Sequence, residues 1–239
     1  MAQEHSFASP APAGLASLTV ATFGFGAVFM GLIDISGFPL LAAWLLACFA
    51  VQYTTAVMEL KDHNIAGGNV FLFFGAFFCL AAAFSVFFKW YAVSFMIGPK
   101  AAKEAMDTAM AMAGVTDVTM LTPEQLMAAK AGIGKAVGAA MAKMVVVEGW
   151  MWMAGALFVT GVIPAYVKSP LFWLCIPLTI ALWMIVGMDT GWYGDHSWKP
   201  VIGYILVASG TYAAYLSSAI ITNTVHGKAV LWVPPGIMK

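Results

Sequence analysis

Six apolar runs of about 20 residues divide this chain, and no other feature narrows its folding choices so far. In lipid every backbone N–H and C=O must be paired internally, so runs of this length fold as membrane-crossing helices. The spans fall at about 14–33, 38–58, 69–91, 145–167, 170–188 and 201–221. Composition agrees: the chain is 62% hydrophobic and 9% charged, with mean hydropathy +0.88, whereas a soluble domain is about half apolar and a quarter charged. The expected fold class is all-α, a six-transmembrane-helix membrane protein forming one integral membrane domain over 1–239.

Between spans three and four the character changes. Residues about 99–143 hold five of the eleven lysines and four of the eleven acids, with many Ala and Met. Thr122-Pro123-Glu124-Gln125 reads as a helix start, with Thr122 as cap, Pro123 at the first position and Gln125 closing a capping box. The segment reads as an inserted amphipathic helical hairpin lying on the membrane surface. Six spans put both termini on one side. Lysine counts on the two sides do not favour placing the termini inside, and leave the orientation open. The N-terminal residues MAQEHSFAS lack the basic residues of a secretory leader, so the first helix is expected to be retained.

Candidate chemistry is sparse. The sequence has no Arg, which argues against nucleic-acid binding and removes the commonest bidentate clamp for carboxylate or phosphate. Cys48, Cys79 and Cys175 lie inside apolar runs as packing residues. His5, His63, His196 and His226 all fall outside the spans, away from the depth a haem subunit needs. No group of Cys, His and carboxylate has metal-ligand spacing, and no phosphate loop or nucleophile elbow is present. Neither a metal, a cofactor nor a catalytic group is expected.

Asp34, Glu59, Glu148 and Asp189 stand at span ends, where a solvated helix terminus is the simple reading. Glu59 differs, because Gln52 lies seven residues back on the same face of an otherwise apolar helix, which points to a wetted surface. Small residues recur four apart at Gly210, Ala214 and Ser218, and line one face at Gly14, Ser17 and Ala21, allowing close helix packing within or between protomers. With no buried positive charge, a pathway here suits a small solute that is neutral or weakly charged.

Several motifs together resemble the acetate uptake transporters, the succinate–acetate permease family. Ser9-Pro10-Ala11-Pro12-Ala13-Gly14-Leu15 stands where the family opens its first helix with Asn-Pro-Ala-Pro-Leu-Gly-Leu. Gln52 and Glu59 are followed by Asn64, Gly67, Phe71, Phe74-Gly75 and Phe77, and Tyr212 follows Ala208-Ser209 in span six. The resemblance implies a hexamer of six-helix protomers in the cytoplasmic (inner) membrane, each with its own pathway. Its implied constriction is Leu18, Phe74 and Leu178, where the family is best known for Phe, Tyr and Leu. Polar contacts would come from Gln52, Asn69 and Thr179, with Glu59 as a proton-linked or structural carboxylate.

The leading expectation is a transporter or channel for acetate and related monocarboxylates, with succinate in some relatives and protons as coupling ions. Two alternatives stay open: a channel for ammonia or another small neutral solute, and a non-transporting subunit that docks a partner through the 99–143 hairpin. In every case the lipid bilayer is the surroundings. Ser9 and the two prolines form a stiff start to the helix that carries Leu18, with Ser9 as its cap.

Overall fold

A computed structural model describes residues 8–238, so His5 and Lys239 lie outside the described residues. Six helices are long and apolar enough to cross a membrane: α1 (Ala11–Phe29), α2 (Phe38–Lys61), α3 (Ile65–Ala113), α4 (Pro123–Tyr166), α5 (Phe172–Thr190) and α6, whose regular part is Lys199–His226. No strand occurs among the described residues. The chain is a multi-pass, all-helical membrane protein. Successive helices reverse direction, so both ends of the described chain lie at one end of the bundle and the α1–α2 and α5–α6 turns at the other, together with the hairpin. These are called the terminal end and the hairpin end below.

The hairpin is built differently from the sequence expectation. It does not start a new element at Pro99, because α3 runs unbroken for 49 residues, ~73 Å at 1.5 Å per residue against a ~30 Å hydrocarbon core. α4 likewise begins at Pro123 and continues into the span, 44 residues in all. The hairpin is therefore the projecting continuation of spans three and four, and does not lie flat on the surface. Proline normally breaks a helix by removing a donor and by its ring's clash with the carbonyl four residues back. Here the turns Ala92–Ile97 before it are π-helical, and this wider winding accommodates Pro99. Gly98 fits the same place, since a Cβ there would stand 2.5 Å from the Val93 carbonyl oxygen. The expected capping box at Thr122 and Gln125 is present in both directions.

Short turns close the helix pairs. Asp34, Asp117 and Asp195 each accept from the backbone and hydroxyl of the residue two ahead, Ser36, Thr119 and Ser197. For Asp34 and Asp195 the side-chain bond, and for Asp117 the backbone bond, is the first cause holding the carboxyl below the usual range. Asp34 is the exposed terminus expected of it.

The core is one apolar cluster running the length of the bundle, from Leu15 and Phe71 through Leu45, Leu182 and Ile185 to Ile202. The small-residue faces pack inside the protomer. Ser17 donates to the Cys48 carbonyl at 3.0 Å, and Gly210 stands against Thr22 and Phe23. Ser218 alone of the six faces outward. The tail returns over the terminal end: Asn223 binds the backbone of Val230 and Leu231, and Trp173 Nε1 donates to the Pro235 carbonyl at 2.9 Å.

Candidate functional site

The segment that opens α1 is stiff for the reasons expected, but its parts are rearranged. Pro10, not Ser9, occupies the cap position, and Pro12 sits in the first turn, where a missing N–H costs nothing. The Ser9 hydroxyl instead accepts from Ala11 N at 3.4 Å and makes a long 3.5 Å contact to Glu59 Oε1. Ser217 donates to the Pro12 carbonyl at 2.7 Å, tying α6 to this turn. A Cβ on Gly14 would overlap the Phe71 ring, so only glycine lets α3 cover α1 here, and Leu15 is buried beside it.

Around that seam the polar residues of α2 collect. Gln52 is fully buried, its Nε2 donating to the Gly14 carbonyl at 3.0 Å, while its Oε1 has no hydrogen-bond partner. Since the amide N–H₂ faces a carbonyl, its orientation is fixed, and Oε1 is left as an acceptor alone. Gly75 stands against Gln52 Cβ. Glu59, 4% exposed, accepts from Asn64 Nδ2, and Asn64 Oδ1 caps α3 by accepting from Gly67 N at 3.0 Å. Glu59 is thus an enclosed carboxylate in a polar seam, not a solvated helix end. Replacing Asn64 by Ala removes the cap, about 1 kcal/mol, and a bond to a charged group, ~2 kcal/mol. A lowered thermal midpoint for Asn64→Ala, with Asn64→Asp lower still because it sets a second carboxylate against Glu59, is the expected result.

One turn along α1 from Gly14, the three residues of the expected constriction meet. Leu18, Phe74 and Leu178 line one small cavity of ≈ 20 Å³, with Phe78, Leu182 and Leu206 around them. That volume holds about one water molecule. Leu18 comes from α1, Phe74 from α3 at the start of its first π-helical stretch (Gly75–Ala81), and Leu178 from α5. No ionisable side chain lines it among the described residues. Aromatic rings stiffen the wall on its hairpin side: Phe74 and Phe78 centroids lie 4.9 Å apart, and Trp152 meets Phe25 at 5.8 Å edge-on.

Toward the hairpin end the cavity leads to a much larger one, ≈ 370 Å³, which shares Phe25, Phe29 and Trp152 with it. This vestibule is apolar except for Ser85, Lys89, Glu148, Asp189 and Lys199. Lys89 pairs with Glu148, whose other oxygen accepts from the Ser85 hydroxyl; the two charged side chains are 15% and 22% exposed. Asp189 is 7% exposed. Glu148 and Asp189 are therefore not the solvated termini expected, and the vestibule does hold an enclosed positive charge, contrary to the sequence reading. α3 and α4 continue beyond this level, so the hydropathy limits of spans three and four are mid-helix and their walls rise around the charges.

Other expected residues stand elsewhere. Asn69 is exposed on the outer face and donates to the Ile65 carbonyl of its own helix at 2.8 Å, away from both cavities. The Thr179 hydroxyl is buried without a partner, beside Leu178 in sequence but in neither cavity wall. Tyr212 donates to the Pro170 carbonyl at 2.8 Å, joining α6 to the α4–α5 turn.

Six helices thus surround a charged vestibule that narrows to a small apolar cavity. The chain shares this fold with a solved structure of the bacterial acetate channel SatP, at a TM-score of 0.61 and 19% identity, covering 96% of this chain and all of the other. No protein-family model and no curated protein matches the sequence.

Proposed function

We propose that this protein is a transporter or channel for acetate and related small monocarboxylates. The observation that carries this reading is the closed apolar constriction of Leu18, Phe74 and Leu178, set between a charged vestibule and a buried polar seam, in a fold shared with an acetate channel. A bare carboxylate entering a site without a hydrogen-bonding partner loses its hydration at a cost of many kcal/mol. The protonated acid crosses far more easily, which makes the flux proton-linked. Gln52 Oε1, buried without a partner and outside both cavity walls, is the acceptor the acid's O–H would meet once the wall opens, and Glu59 is a carboxylate on the same helix face. Asn69 stands on the outer face, away from both cavities; by resemblance to the acetate uptake transporters the protein forms a homo-hexamer in the cytoplasmic (inner) membrane.

Radiolabelled acetate uptake into proteoliposomes tests the reading. Saturable uptake that rises when the outside is made more acidic supports it; uptake equal to empty liposomes at every pH overturns it. Ammonia flux in the same vesicles separates the neutral-solute alternative, which the uncharged constriction would also serve.

A further inference from the structure

A second, more open groove of ≈ 450 Å³ lies outside the vestibule, between α3 and α4, lined by Phe88, Tyr91, Met96 and Met144. The groove and the vestibule share Ser85, Lys89, Val147 and Glu148. The Lys89–Glu148 pair is thus the partition between an outer and an inner space. We propose that Lys89, with the Ser85 hydroxyl, is the carboxylate receptor of the vestibule, and that Glu148 is a tethered occupant which a small monocarboxylate replaces. This deepens the acid-transport reading and rests on it.

The physical case starts from the cost of isolating the lysine. Its ammonium is mostly enclosed, in a cavity whose other walls include Phe25, Phe29, Phe77 and Trp152. An enclosed charge there is tolerated only with a counter-charge, and removing the partner without replacement is strongly unfavourable. Exchanging one carboxylate for another keeps the pair intact, so the exchange is the easy route. Ser85 and Lys89 lie four apart on one face of α3 and present a hydroxyl and an ammonium together, while Glu148 reaches them from α4. Glu148 also borders the outer groove, so on displacement it turns to that more open side. The remaining charged groups facing the vestibule are Asp189 and Lys199. A methyl or ethyl group on the ligand packs against the aromatic wall.

Propionate binding to the purified full-length protein in detergent, read by saturation-transfer NMR, tests this without requiring flux. Glu148→Gln should bind about tenfold more tightly than the wild type and Lys89→Gln about tenfold more weakly, the size of one bond to a charged group. Equal affinity in wild type and Lys89→Gln overturns the proposal, as does weaker binding by a folded Glu148→Gln, the mark of a purely structural ion pair. Should a single variant fail to fold, the reversed pair Lys89→Glu/Glu148→Lys keeps both charges. Propionate binding by the folded reversed pair supports the receptor, and loss of it overturns it. Lys89-dependent binding without any wild-type acetate flux would defeat the transport reading alone; flux with Lys89-independent binding would defeat the receptor alone.

Discussion

Leu18→Trp should abolish acetate flux, lowering it by about 100-fold, the effect of ~2.7 kcal/mol added to the barrier. The cavity where Leu18 meets Phe74 and Leu178 measures ≈ 20 Å³ and has no spare room for an indole. Ala21, Thr22, Phe74 and Leu178 surround the position, and the Phe74, Phe78 and Trp152 rings brace one another behind them. On the proposed pathway even acetate requires Leu18 or its neighbours to move aside, because the space admits about one water. Leu18→Ala is the complementary variant: it enlarges the space, raises flux and admits longer acids, at a folding cost of about 2–5 kcal/mol for a buried Leu→Ala change. Proteoliposome uptake of acetate and butyrate by the two variants checks both halves. A Leu18→Trp protein that transports at the wild-type rate would place the pathway elsewhere.

Gly203→Val should be among the most destabilising single changes in the spans. α1 and α6 touch backbone to backbone at Gly26 and Gly203. A Cβ on Gly203 would stand 2.8 Å from the Gly26 carbonyl oxygen and 3.1 Å from Met30 N, and a Cβ on Gly26 would stand 3.1 Å from the Gly203 oxygen. These neighbours are main chain, so no side-chain rotation relieves the overlap, and the helices must separate. Overpacking of this kind costs ~1–3 kcal/mol even where side chains can adjust, and close small-residue contacts are the main source of helix association in lipid. The expected outcome is a thermal midpoint many degrees lower in detergent, with Gly203→Ala intermediate. Gly134→Val is the control, since nothing lies within 4 Å of a Cβ there.

Which parts of this fold could be read from sequence follows from what sets each part. The six spans were legible because lipid fixes a minimum apolar length, and runs such as 38–58 have no other stable use. That Leu18, Phe74 and Leu178 line one cavity could be anticipated only through resemblance. Each is an ordinary apolar residue, and nothing in its own helix marks it as facing the other two. The length of α3 was hidden because Pro99 normally ends a helix, and whether the preceding turns can widen to accept it depends on local winding that residue type does not declare. The same hidden helix length concealed the enclosure of Lys89 and Glu148. With span four begun near Val145, Glu148 looked like a wet end, when it and Lys89 are opposed mid-helix residues on adjoining walls. The Gln52–Glu59 stripe was visible from spacing, but not as the wetted surface that the spacing suggested: both side chains are buried, and Gly14 and Asn64 supply their partners.

The unbroken course of α3 also makes it a lever. From Phe74 at the constriction to Ala113 at the hairpin tip is about 58 Å of helix, so a tilt of about 5° at the plug moves the tip by about 5 Å. The π-helical turns Gly75–Ala81 lie at the fulcrum. A displacement too small to measure among packed rings is thus magnified outside the bilayer, where Met112 is 86% exposed and open to a spectroscopic label. Distances between such labels would follow any tilt of α3 at the proposed constriction without touching it.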